Sequence, residues 1–217
     1  MERKIILVDF DGVVGEFDRI HMLKYYKGVD KIRALRMFIH LTGVFKQSKE
    51  FKRLFNNYQS GKYTQEGYLT MIGASYPTLT GVAKRFLDIL PSTLIVFDET
   101  LAYLDEKIAE GYEVYIVTNN MPENVEVIEK TMEGHCNGII YSTVTGYRKD
   151  HAEMFEIVKE ETQAKEGEIK LFLDDKSKFV EVAEKCGIPS MTFDIKDKEI
   201  YEKIDGKLNA ESVKPEI

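Results

Sequence analysis

The stretch Ile5-Ile6-Leu7-Val8-Asp9-Phe10-Asp11-Gly12-Val13-Val14 decides how this chain is read: four strongly apolar residues run into two carboxylates and then a glycine. Four aliphatic residues are too few for a membrane span or a signal-peptide core, but they suit a strand buried on both faces. In an extended segment Asp9 and Asp11 share one face, whereas a sharp turn at Gly12 separates them and lets each reach a different atom. Carboxylates this close repel, so they require a cation or a shared proton. Alone, the doublet describes strand-end turn residues equally well.

Three further runs, 114–117, 138–142 and 169–173, have the same aliphatic and β-branched character, and each is followed by polar residues or glycine. Helical patterns separate and follow them at 99–110, 122–132, 150–161 and 177–186, with Gly111, Gly134 and Gly187 placed where a helix ends in a left-handed cap. Strand and helix in alternation predict an α/β fold, a mostly parallel sheet covered by helices on both faces, with ligands bound where the strand C-termini face a crevice.

Residues 16–92 break this rhythm, because helical periodicity dominates them and no strand-like run appears. The chain therefore divides into a core of residues 1–15 and 93–217 and an inserted helical domain of residues 16–92. Asp30 is placed to cap a helix through Thr42 with Ile32, Leu35, Phe38, Ile39 and Thr42 on one stripe. Ser48 is placed to cap another that carries Phe51, Leu54, Phe55 and Tyr58, and Thr64 and Thr80 start two more. The insertion holds 13 Lys and Arg against 6 Asp and Glu, or +7, while the rest holds 17 against 31, or −14. Such asymmetry suits attraction of an anion to the insertion.

The 217 residues, 43% hydrophobic, allow a sizeable core and exclude a disordered chain. Cys136 and Cys186 lie without metal-ligand spacing and read as buried free thiols of a reducing, cytoplasmic protein with no membrane partner. The net charge is −7, and the one dense basic cluster, Lys49-Glu50-Phe51-Lys52-Arg53, is interrupted by an acid, which argues against a nucleic-acid partner.

Chemistry-bearing residues follow the other predicted strands. Thr118-Asn119-Asn120 offers a hydroxyl and two amides to an anion. Arg148-Lys149 supplies cations before a helix, and Asp174-Asp175 is a second carboxylate pair emerging from an apolar run. Singly these are a turn, a solvated basic pair and a helix cap. Together they place Asp9, Asp11, Thr118, Lys149, Asp174 and Asp175 at one rim of a parallel sheet.

In order and spacing, "DFDGVV", "VTNN", the lysine of "GYRKD" and "LFLDDKSKFVEVAEKCGIP" resemble the four motifs of the haloacid dehalogenase-like (HAD) hydrolase superfamily, over about residues 4–195. The resemblance implies a Rossmann-like core of strand order 5-4-1-2-3, with residues 16–92 as a type 1 helical cap. It implies a magnesium-dependent phosphatase acting on a small phosphorylated metabolite through an aspartyl-phosphate. A phosphomutase sharing that intermediate, or a non-catalytic binding protein of the same fold, are the alternatives. By position, Asp9 would be the nucleophile and Asp11 the acid and base. Asp9, Asp11, Asp174 and Asp175 would hold Mg2+, with Asp175 in direct contact and Asp174 outside it, and Thr118, Asn119 and Lys149 would hold the phosphate. Asp11 favours phosphoryl transfer, because dehalogenating relatives generally lack that second aspartate. Around the expected hinge at Gly15, Arg19, His21, Lys24, Tyr25 and Tyr26 are candidates for substrate contact, whereas the four histidines show no metal-binding pattern.

Overall fold

The computed structural model describes residues 3–18, 20–42 and 46–211. The chain runs β1 (Ile5–Val8), β2 (Gly15–Phe17), α1 (Gly28–Thr42), α2 (Lys46–Gln59), α3 (Gln65–Ser75), α4 (Thr80–Ile89) and β3 (Leu94–Val96). It continues through α5 (Asp98–Ala109), β4 (Glu113–Thr118), α6 (Val125–Met132), β5 (Gly138–Tyr141), α7 (Ser142–Thr145) and α8 (Ala152–Thr162). It ends with β6 (Ile169–Asp174), α9 (Ser177–Lys185), β7 (Ser190–Thr192) and α10 (Ile200–Glu211).

Five strands form one parallel sheet in the order β5-β4-β1-β6-β7. Numbered along the chain within that sheet, the order from the β7 edge is the expected 5-4-1-2-3. β1 is central and wholly buried, because it has no polar side chain to present and both faces are covered. Its side chains alternate. Ile6 and Val8 join Leu104 of α5, Ile128 of α6 and Ile204 of α10, while Ile5 and Leu7 join Phe155 and Val158 of α8 and Ala183 of α9. Each such aliphatic or aromatic side chain contributes about 1.5–3 kcal/mol on burial. Gly111, Gly134 and Gly187 all have positive φ (91°, 85° and 77°), the conformation the helix-end reading required.

The two chain crossings to and from the helical segment pair as an antiparallel ribbon, β2 with β3, in the register Gly15↔Val96, Glu16↔Ile95 and Phe17↔Leu94. A strand therefore does occupy the start of 16–92, too short to produce a periodic signal. β7 escapes a sequence reading for the same reason. Gly15, expected as a hinge, is a rung of this ribbon, where a Cβ would come within 2.7 Å of the Ile95 carbonyl oxygen.

Within the helical segment three expectations change. α1 starts at Gly28, ahead of Asp30, whose carboxylate instead accepts from Arg33 at 3.0 Å. α2 starts ahead of Ser48, whose hydroxyl is buried inside the helix against His40 Nδ1 at 3.1 Å. Of the expected stripe of α1, Phe38 packs inward with its ring 5.9 Å from that of Phe86, but Ile32, Leu35 and Ile39 face outward, 70%, 51% and 43% exposed, and Ala34, Met37 and His40 take the buried face. The small Ala34 and flexible Met37 admit the neighbouring helices, which longer branched side chains would hold apart. The side chain of Thr42 lies outside the described residues. Thr64 caps α3, accepting from the Gly67 N–H at 3.1 Å, and Thr80 starts α4, both as expected. Cys136 and Cys186 are free and half-buried rather than buried. No helix among the described residues is long and apolar enough to cross a membrane.

Candidate active site

The sheet's C-terminal rim gathers the carboxylates through backbone contacts. The Asp9 N–H donates to the Leu173 carbonyl at 2.8 Å, which ties the end of β1 to that of β6. The chain then curls back on itself: the Gly15 N–H donates to Phe10 O at 3.1 Å and the Gly12 N–H to Gly15 O at 2.7 Å. This turn carries Asp11 away from Asp9 and sets its Oδ1 to accept from the Phe17 N–H at 3.4 Å. Gly12 has φ +97°, and a Cβ there would lie 2.6 Å from Cγ of Asp175. Only glycine lets the two motifs approach so closely.

Lys149 is fully buried, with Nζ 2.6 Å from Asp9 Oδ1 and 2.6 Å from Asp174 Oδ2. The rings of Phe172 and Phe179 stand 5.8 and 5.2 Å from the ammonium and keep water from it. The Lys149 N–H donates to Asn119 Oδ1 at 3.0 Å, and Asp174 Oδ1 accepts from the Lys176 N–H at 2.8 Å. The Asp174 carboxyl is nonetheless pushed up to about 7, because burial and the Asp9 charge outweigh the ammonium beside it. One lysine does not neutralise two buried carboxylates. Asp9, Asp174 and Asp175 each offer an oxygen, all within 4.8 Å of one another, a hard-donor set that fits a divalent cation. Lys176 Nζ lies 3.1 Å from Asp175 Oδ1. Burial pulls that ammonium down, but the charges of Asp9, Asp175 and Asp11 hold it above the ordinary lysine range.

β4 delivers Thr118, fully buried, whose Oγ1 accepts from Asn120 Nδ2 at 2.9 Å; Asn120 Oδ1 in turn accepts from Asn124 Nδ2 at 2.8 Å. With its oxygen accepting, the threonine hydroxyl keeps its proton for a ligand. Asn119 Nδ2 is a buried donor without a hydrogen-bond partner among the described residues, as expected of a group that waits for an anion.

These groups line a cavity of about 210 Å³ whose opposite wall comes from the helical segment: Leu41, Lys52, Phe55, Asn56, Gln59 and Phe86. Gln59 joins the two walls. Its Nε2 donates to Asn119 O at 2.7 Å, its Oε1 accepts from Arg148, and its carbonyl accepts from Ser142 Oγ at 2.5 Å. Glu123 makes a second clasp, accepting from Tyr58 and, at 2.8 Å, from Gln65.

The structure thus brings Asp9, Asp11, Thr118 and Asn119 to one cavity, with Lys149, Asp174 and Asp175 directly behind or beside them. It does not bring His21, Lys24 or Tyr25 there: all three are exposed on a 3-10 turn at His21–Tyr25, and Tyr26 is buried with its hydroxyl on Val82 O at 3.2 Å. Arg19 lies outside the described residues. Sequence reasoning missed Gln59, Asn124, Lys178 and the place of Arg148 on the cavity wall. The "NN" after β4 pointed to the amides, but nothing marked the other polar residues as inward-facing.

No family model and no curated protein matches the sequence. Solved structures do. A HAD family enzyme from Bacteroides thetaiotaomicron superposes with a TM-score of 0.69 at 20% identity, over 92% of this chain and 98% of that one. A predicted HAD-like family hydrolase from Porphyromonas gingivalis gives 0.67 at 19% identity, over 94% and 98%. L-2-haloacid dehalogenase from Xanthobacter autotrophicus gives 0.61 at 14% identity, over 98% and 85%. Matched nearly end to end in each case, the chain has the fold of the haloacid dehalogenase-like enzymes.

Proposed function

We propose that the protein is a magnesium-dependent phosphatase acting on a small phosphate monoester. The observation that carries this reading is the pairing of Asp9, held on one oxygen, with Asp11, turned away from it at the same cavity. Asp9 Oδ1 accepts from the Phe10 N–H at 2.7 Å and from Lys149, so attack is assigned to Oδ2. That oxygen forms a bond to phosphorus as the ester oxygen leaves, and Asp11 gives the leaving oxygen a proton. Water, losing a proton to Asp11, then displaces Asp9 and releases phosphate. Thr118 and Asn119 donate to the phosphoryl oxygens, and Lys149 holds the nucleophile and offsets the Asp174 charge.

Asp9, the Asp11 carbonyl and Asp175 would hold magnesium, with Asp174 outside them, since Asp174 is engaged by Lys149 and by the Lys176 N–H. When bound, the ion would neutralise charge on the transferring phosphoryl group. The Bacteroides enzyme has been crystallised with magnesium and inorganic phosphate, which supports this choice. The dehalogenase similarity offers a carbon-centred alternative, against which Asp11 at the cavity argues.

The test is phosphate release from p-nitrophenyl phosphate. Activity should require magnesium, vanish with chelator and fall by at least about 10³-fold in Asp9→Asn. Acid-quenched protein incubated with radiolabelled substrate should retain label in the wild type and none in that variant. Full activity in Asp9→Asn, or activity indifferent to magnesium, rejects the reading.

A further inference from the structure

The cavity holds more positive charge than one phosphate monoester requires. Lys149 is spent on Asp9 and Asp174, and Lys176 faces Asp175. Three further cations, Lys52, Arg148 and Lys178, line the same space, where the lining carboxylates are Asp9 and Asp11. Arg148 is only 7% exposed. Its Nε lies 3.2 Å from Asp150 and Nη1 reaches Gln59, so the guanidinium is fixed in place on the cavity wall. Lys178 Nζ lies over the Phe179 ring, 4.4 Å from its centroid, and no carboxylate among the described residues is within ion-pair distance of it. Burial pulls the Lys178 ammonium below its ordinary range; Asp150 opposes this, and the like charges of Arg148, Lys52 and Lys176 add to it. A protein that crowds cations in a partly desolvated place expects an anion there. An adjoining groove shares Lys52, Asn56 and Arg148 with the cavity and adds Lys49, Lys62 and Arg53, the last paired with Glu50, against the one carboxylate of Asp150. The volume of about 210 Å³ restricts the occupant to a small molecule.

We propose that the substrate is a small bis-anion, a phosphate monoester whose leaving group carries a second anionic group, carboxylate or phosphate, held by Lys178 and Arg148 beside Lys52. The proposal rests on the phosphatase reading of the same cavity. The reacting phosphate lies at Asp9 and Thr118, and the second anion lies toward α9 and the end of α2. Asn124 Oδ1, a buried acceptor on the cavity wall without a partner among the described residues, is available to a hydroxyl or amide between them.

The test compares matched probes that differ only in the distal charge. With magnesium present, kcat/KM is measured for ω-carboxyalkyl phosphates of increasing length, for the hydroxyalkyl phosphates of equal length, and for the corresponding alkane bisphosphates. At the best length an anionic member should exceed its neutral partner by about tenfold or more, the worth of one charge-assisted hydrogen bond; whether carboxylate or phosphate wins identifies the second group. In Lys178→Gln that ratio should fall below about threefold. The ratio is taken within each variant, so a loss of folded protein cancels. Equal rates for anionic and neutral members at every length, or an unchanged ratio in Lys178→Gln, overturn the proposal. Calorimetry on the wild-type protein with magnesium supplies a readout without turnover: a carboxyalkylphosphonate should bind about tenfold tighter than the alkylphosphonate of equal length, and equal affinity overturns the proposal. If no ester in the series is hydrolysed, the phosphatase reading fails, and the calorimetric comparison still decides the subsite.

Discussion

The two walls of the cavity are made in different ways. On the sheet side, functional groups are positioned by the main chain: Asp9 through Leu173 O and the Phe10 N–H, Asp174 through the Lys176 N–H, and Lys149 through its own N–H on Asn119. On the helical side the wall is attached to the sheet side by side chains, Gln59 and the Tyr58–Glu123–Gln65 clasp. A group fixed by the backbone of a buried sheet is held to a small tolerance, whereas one held through rotamers can be exchanged without disturbing the fold. On the proposed function, chemistry belongs to the sheet wall, and the helical wall joins Lys178 and Arg148 of the core in choosing the substrate.

The largest effect should come from Lys149→Met, which leaves Asp9 and Asp174 buried together without their cation. Removing one partner from a buried ionic cluster costs about 3–5 kcal/mol. Urea unfolding at neutral pH should show that loss, and phosphate release should be abolished. A variant as stable as the wild type would mean that the carboxylates are not charged together, and the contrast between the walls would weaken. Next comes Gly12→Ala, which forces a side chain into the left-handed region and against Asp175. The backbone term costs about 1–2 kcal/mol, and displacement of Asp175 should weaken magnesium binding by about 10–100-fold, read by calorimetric titration. Unchanged magnesium affinity would remove Asp175 from the metal site.

Much of the sheet wall was legible because each group follows a short aliphatic run, and a buried parallel strand leaves few places for the polar residues after it to go. Asp9, Thr118 and Asp174 are the first polar side chains after Val8, Val117 and Leu173. The helical wall was not legible. Gln59 and Lys52 occupy an amphipathic helix, where a polar residue reads as solvated unless the docking partner is known. On α1, aliphatic residues occur on two faces, and periodicity alone does not say which one meets α2 and α4. Ile32, Leu35 and Ile39 have the stronger apolar character yet lie outside, while the smaller Ala34 and the flexible Met37 are buried. The substrate candidates between Arg19 and Tyr26 rest on closeness to the expected hinge at Gly15, yet the helical side of the cavity is lined chiefly from α2.

Glu123→Ala tests the clasp and should have a smaller effect. It strands the Tyr58 hydroxyl and the Gln65 amide, a loss of about 1–3 kcal/mol in stability. If the helical wall selects substrate without taking part in the chemistry, KM should rise severalfold while kcat stays within about twofold of the wild type. A fall in kcat that matches the rise in KM would show that closure of this wall completes the chemical site, and the division of labour argued above would fail.

The smallest expected effect separates how the two regions bury a titratable group. The sheet wall buries Lys149 between two carboxylates, Asp9 and Asp174. The helical segment buries His40 uncharged: it meets the Ser48 hydroxyl at 3.1 Å, stacks on Phe51 with centroids 5.6 Å apart, and lies 5.3 Å from the Tyr76 ring. Burial, with the Arg36 charge adding to it, holds its pKa below the ordinary histidine value. The unfolded chain, titrating near the ordinary value of about 6.5, then binds more protons than the folded one as pH falls through that range. His40 therefore contributes stability that is present above about pH 6.5 and is lost as pH falls from there toward its folded pKa. The urea midpoint of the wild type should decline across this interval, and His40→Gln should remove the part of the decline that this side chain causes. If His40→Gln leaves the pH dependence unchanged, the histidine is not buried neutral, and the contrast in how the two regions accommodate ionisable groups does not hold.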